Sequence, residues 1–161
     1  MALNAYLSIV AQKQGQIRGS VAQKGREGKI LVMGAMHQIV CPRDPASGLP
    51  TGKRAHKPFI ILKELDRSSP FLFSILCSNE NIVSAEIQFW QPSPMGGERQ
   101  HYTVRLINAN ISSIHFKMAN NQYQKLMRLT EYEEVSFTYQ RIEWIWNDGN
   151  LTGVDDWETP R

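Results

Sequence analysis

Apolar residues recur at every second position through most long segments of this chain, and one stretch abandons that period for a helix. Successive side chains of a strand point to opposite faces, so a period of two marks chain half buried in a sheet. Residues 2–10 put Leu3, Ala5, Leu7 and Ile9 on one face and Asn4, Tyr6, Ser8 and Val10 on the other. Residues 82–90 set Val83, Ala85, Ile87 and Phe89 against Ser84, Glu86 and Gln88. The exception follows a strand at 59–62: Ser69-Pro70 predicts a helix N-terminus, with the serine oxygen as cap and proline where a missing N–H costs nothing. The helix spans about 70–78, with Phe71, Leu72, Ile75 and Leu76 at core spacing.

Three further segments carry irregularities. In 102–118 the apolar set moves from Tyr102, Val104 and Leu106 to Ile114, Phe116 and Met118 across Asn108-Ala109-Asn110, which predicts a bend or bulge. In 134–146 the set switches from Val135, Phe137 and Tyr139 to Ile142, Trp144 and Trp146, which predicts another near Gln140 and Arg141. Residues 30–40 are apolar on both parities, so a strand there needs cover on both faces, from the helix or from another subunit. About six strands, one helix and no βα repetition predict a mainly β protein: an antiparallel barrel with one lateral helix, in a single domain over 1–161.

Function classes narrow by what is missing. No basic segment precedes a short apolar run at the N-terminus, and nowhere do about 18 apolar residues run together, so neither a cleaved signal nor membrane insertion is expected. Cys41 and Cys77 stand alone without metal-ligand spacing, which predicts reduced, buried thiols, no metal and no cofactor. His37, His56, His101 and His115 are scattered, and no motif sets a nucleophile beside a base, so no catalytic residue is assigned and no enzyme is expected. Glu133-Glu134 reads as a solvated strand entrance whose side chains face opposite ways.

Charge is divided unevenly. Residues 11–29 carry a net +4 and residues 42–57 a net +3, whereas the last fifteen carry −3 through Asp148, Asp155, Asp156 and Glu158 against Arg161. Opposite signs on one subunit suit head-to-tail association. Nucleic acid is not the expected partner, because the basic blocks lack interleaved aromatics and no DNA-binding motif is present. Residues 41–55, broken by Pro42, Pro45, Gly48, Pro50 and Gly52, form a long irregular loop, a kind that in compact domains is usually functional or disordered, and function is the expectation here. Its prolines limit the entropy lost on docking, and Arg43, Lys53 and Arg54 give it charge, so it reads as an arm reaching another molecule.

His56-Lys57-Pro58, running through Lys63-Glu64 and Asp66 to Ser68-Ser69-Pro70, resembles the haemolysin co-regulated protein (Hcp) family, the tube subunit of bacterial type VI secretion. Two more stretches agree in order, from Tyr102-Thr103-Val104 to Ile111 and from Glu133-Glu134-Val135 to Trp144, as does the opening Ala5-Tyr6-Leu7. The resemblance implies a barrel that assembles into homohexameric rings, stacked head to tail into a hollow tube. Its partners are then other copies of itself, the spike at the tube tip, the contractile sheath and small effectors carried in the lumen. It further implies a cytoplasmic stage before export and no active site; with only a short tail after the last barrel strand, no effector extension is expected.

By the same resemblance the loop, about 42–55, projects toward the neighbouring ring, and its residues Arg43, Asp44, Leu49, Lys53 and Arg54 are the candidates for stacking. Asp155, Asp156 and Glu158 are the acidic candidates to meet its cations. Val32, Met36 and Gln38 are the candidates for a ring-interface or lumen surface. A monomeric ligand-binding barrel or a basic nucleic-acid-binding module are the readings from other classes, separable by the mass of the particle and by salt dependence.

Overall fold

Alternation is obeyed where one neighbour runs along a strand's whole length. In β1 (Ala5–Ala11) the residues Ala5, Leu7, Ile9 and Ala11 are buried, as their period demands. The computed structural model describes residues 1–158, and the last positions of the acidic tail, 159–161, lie outside them. Next come β2 (Gly15–Ile17), β3 (Ile30–Val32), β4 (Gly34–Met36), β5 (Ile39–Val40), β6 (Ala55–His56) and β7 (Phe59–Glu64). The helix α1 (Ser69–Ser78) separates these from β8 (Ile82–Pro92), β9 (Glu98–Lys117), β10 (Tyr132–Trp146) and β11 (Leu151–Asp156). The fold is mainly β, with one helix among the described residues.

The antiparallel sheet runs β2-β1-β8-β9-β10-β7-β4, with β11 added to β10 and β3 to β1. Its wrapping depends on residues 30–36. These pair first with β1, Leu7 facing Ile30, and then with β7, where Gly34 faces Leu62 and Met33 N–H donates to the Leu62 carbonyl at 2.8 Å. One stretch thus spans the seam between opposite margins of the sheet, giving the barrel-like form. Leu7, Ile9, Ile30, Ile61, Ile87, Leu106, Phe137 and Ile142 fill the interior, and Leu72 and Ile75 of α1 join them. Burial of each such side chain contributes about 1.5–3 kcal/mol relative to exposure.

The seam overturns the reading of 30–40 as one doubly covered strand. A strand that changes neighbours restarts its parity, and here it breaks into β3, β4 and β5. Val32 is 1% exposed in the core, so it cannot line a lumen or a ring interface, whereas Met36, of the same predicted set, is 64% exposed and Gln38 is also exposed.

The predicted turning points near Asn108 and Gln140 exist in a different form. Asn108 takes a left-handed backbone (φ 52°), which asparagine tolerates, and its Nδ2 donates to Gln140 Oε1 at 2.6 Å. Pairing resumes in unchanged register on either side, so both strands turn together and their buried sets switch parity. The true register shift lies at Ser136/Phe137. A second shift, between β1 and β8, leaves Val83 exposed instead of facing the core.

Other corrections follow from packing. Phe71 and Trp146 are exposed, because α1 buries only the side bearing Leu72 and Ile75, and Trp146 ends its strand. Both cysteines are free and exposed. The helix cap is Ser68, whose hydroxyl donates to Asp66 instead of capping a helix N–H, and Ser69 turns its hydroxyl to Lys63 and the Asp66 N–H. The residues after Trp146 form β11 rather than a tail, because Gly149 and Asn150, both at positive φ, turn the chain back along β10.

Candidate functional site

The loop 41–55 is an arm with its own hydrogen bonds. Asp44 organises its tip: the carboxylate accepts from Ser47 N–H at 2.9 Å and from the Ser47 hydroxyl at 2.5 Å, while the backbone exchanges bonds with Gly48 and Leu49. The Ser47 hydroxyl and the backbone N–H groups of Ala46 and Ser47 hold the Asp44 carboxyl below the ordinary range. Arg43 bridges to Pro50, and Thr51 N–H donates to the Pro42 carbonyl. Arg43, Leu49 and Lys53 stand exposed on this frame. The prolines therefore shape a hairpin instead of excluding order.

The arm's roots converge on the hydroxyl of Tyr139 in β10. His37, just before β5, places Nε2 at 2.7 Å from it, and His56, in β6, places Nδ1 at 2.8 Å. His56 Nε2 lies 2.7 Å from Asp155 Oδ2, on which Arg54 Nε also rests at 2.5 Å, and Arg54 Nη2 donates to the Asp156 carbonyl at 2.8 Å. Phe59 packs beside His37 and Trp157 over His56, at ring separations of 5.2 and 4.9 Å. Burial, with His56 close by, pulls the His37 pKa below its ordinary value. Burial and the Asp155 charge push the Tyr139 phenol well up, so it stays protonated and is a hydrogen-bonding post rather than a nucleophile.

The predicted residues are thus redistributed. Arg54 is held by Asp155 within the same chain. Asp156 offers Arg54 its carbonyl, its carboxylate accepts from the Glu158 N–H, and Glu158 is exposed. Arg43, Leu49 and Lys53 keep outward positions, whereas Asp44 works inside the arm. A cavity of about 390 Å³ opens beside the root, lined in part by His56, Lys57, Tyr139, Gln140 and Trp157. Among the described residues no group of three or more His, Cys, Asp or Glu side chains is arranged to hold a metal ion.

Sequence spacing missed two clusters. The histidines looked scattered, yet His37 and His56 flank the arm's two ends, and the arm's closure brings them together. Glu133 is not at a solvated entrance: it is fully buried opposite Lys63 in the β7–β10 register. Lys63 Nζ bonds Glu133 Oε2 at 3.1 Å, Ser69 Oγ at 3.1 Å and the Glu64 carbonyl at 2.9 Å, with Asp66 at 3.2 Å. Neither end of that pair carries a local signal, since a lysine at an inward strand position is read as solvated unless its partner is known.

Comparison with known proteins bears on the whole chain. The family model described as type VI secretion system effector, Hcp, matches residues 6–146. The "Major exported protein" of Pseudomonas aeruginosa is 39% identical over 169 aligned positions, spanning 99% of this chain and 98% of that protein. A crystal structure of an Hcp protein superposes with a TM-score of 0.89 at 29% identity, covering 96% of this chain and 99% of that one. The secreted protein Hcp3 from Pseudomonas aeruginosa gives 0.80 at 31% identity, covering 99% and 100%.

Proposed function

We propose, from the premise that this chain belongs to the Hcp family of type VI secretion, that it is a tube subunit forming homohexameric rings that stack head to tail into a hollow tube. The observation that carries the reading is the match over nearly the full length of both chains, in sequence and in fold. One feature of the surface supports it. Met36 and β7's Ile60 and Leu62 border an apolar groove, which a neighbouring subunit can cover. A contact between two different patches closes into a ring when the rotation permits and otherwise continues as a filament.

The arm is the ring-to-ring element, with Arg43, Leu49 and Lys53 as its contacting side chains and Met36 and Gln38 as candidates for the ring interface or lumen. The partners are further copies of the chain, the spike at the tip, the enclosing sheath and small effectors held in the lumen. The subunit is made in the cytoplasm and leaves without a cleaved signal. Export accords with the name of its Pseudomonas aeruginosa relative.

Negative-stain microscopy with light scattering tests this reading. Rings with an open centre and a mass six times the 18.4 kDa of one chain are expected. Particles of single-subunit mass at all concentrations overturn it.

A further inference from the structure

The arm's own ladder, Ile39 with His56 and Val40 with Ala55, is a separate two-stranded sheet with no ladder pairing to the barrel. An isolated two-stranded ribbon is marginal in water, so something else must seat it. What joins its roots to the barrel is a set of side chains: His37 and His56 on the two roots, Tyr139 on β10, Asp155 on β11, and Arg54. We propose that this set is an acid-releasable clasp, which holds the arm at neutral pH and frees it when both histidines are protonated.

The gathering of charge around the Tyr139 hydroxyl carries the inference. The Asp155 carboxylate only accepts, so His56 Nε2 bears hydrogen. A neutral His56 then has a bare Nδ1, which accepts the single Tyr139 hydroxyl proton. The Tyr139 oxygen keeps lone pairs free for His37 Nε2–H. A first added proton is accommodated, since His56 then faces Asp155 as an ion pair and Tyr139 can turn its hydrogen toward the neighbouring cavity.

A second proton is not accommodated. It brings charge but no new donor to Tyr139: two imidazolium rings then stand 6.4 Å apart between centroids at the arm root, beside the Arg54 cation that Asp155 already pairs. Among the described residues the other charges at the site do not remedy this, and the Lys57 backbone, which hydrogen-bonds His37, offsets burial and the His56 charge only in part. Lys57 and Glu158 on the cavity wall are of opposite sign, and the Asp156 carboxylate is turned to the Glu158 N–H. The depressed His37 pKa agrees with this resistance to charge. The clasp lies within one chain, so it stands or falls separately from ring assembly.

Hydrogen exchange read by mass spectrometry on the whole protein tests it, at about pH 7.5 and about pH 5 with rates corrected for intrinsic exchange. Peptides spanning 37–57 are expected to lose protection about tenfold or more at the lower pH, while peptides of β7 and the first half of β10 keep theirs. Tyr139→Phe, which removes the shared hydroxyl and little volume, is expected to show at neutral pH the arm exchange that the unaltered protein shows in acid. Equal corrected protection of 37–57 at both pH values overturns the proposal. So does a folded Tyr139→Phe protein whose arm exchanges like the original.

Discussion

Two charged clusters tie loops to the barrel, and they differ in how much water they see. At the start of α1, Lys63 and Glu133 are fully buried and directly opposite across two strands, and Lys63 makes further bonds to Ser69, Asp66 and the Glu64 carbonyl. At the arm root, His37 is half-buried, a cavity adjoins Tyr139, and Arg54 is partly exposed. The first cluster is built of groups whose ordinary pKa values lie far from neutrality, inside the barrel wall. The second is built of histidines beside an opening. One fixes where the helix leaves the sheet, and the other holds a segment that can be let go. On the proposal above, the barrel is framework and the arm its adjustable part.

The contrast predicts its largest effect at the buried pair. Glu133→Ala leaves the Lys63 charge buried without its carboxylate partner and is expected to cost about 3–5 kcal/mol in denaturant unfolding. The double replacement Lys63→Met with Glu133→Leu is expected to recover most of that, because it removes both charges and keeps volume. A double variant as unstable as the single one contradicts the reading of a pair whose broken state is the costly one.

A smaller effect is expected at the arm root, through pH. His37 has a folded pKa below its ordinary 6.5, so above that value folded and unfolded chains are both neutral there and its contribution is level. As pH falls below 6.5 the unfolded chain binds a proton that the folded site resists, and stability declines until the folded pKa is passed. His37→Asn is expected to flatten this slope in a series of denaturant midpoints. A slope of unchanged steepness assigns it to other groups. Glu80, held below its ordinary 4.5 by donors from Gln14 and Lys13, adds its own loss only at lower pH.

Arg54→Gln should be the mildest, at most about 1 kcal/mol by thermal or denaturant unfolding, since the pair is partly solvated. A loss as large as that of Glu133→Ala would erase the distinction between the two regions.

Legibility in the sequence followed the same division. β1 was readable because β8 pairs with it along its whole length, and the helix because Ser-Pro opens it. Residues 30–40 were misread because alternation assumes constant neighbours, and this stretch exchanges β1 for β7 at Gly34. β11 left a trace in Asp148-Gly149-Asn150, a turn signal between apolar residues that was passed over. The arm's limits were visible in its prolines and glycines, but its fold was not, because Asp44's bonds to Ser47 and Gly48 are local geometry rather than pattern. The two clusters were invisible for one reason: Lys63 with Glu133 and His56 with Asp155 are partners across 70 and 99 positions, and nothing local marks a polar side chain as paired at that range.

The central claim is that the barrel builds the ring while the arm links one ring to the next. Reversing the arm's two free cations, Arg43→Glu with Lys53→Glu, leaves Arg54 on Asp155 and the barrel untouched, and electron micrographs of the assembled protein read the outcome. The account predicts single rings of normal diameter whose stacks are shortened or lost. Stacks as long as those of the unaltered protein contradict it.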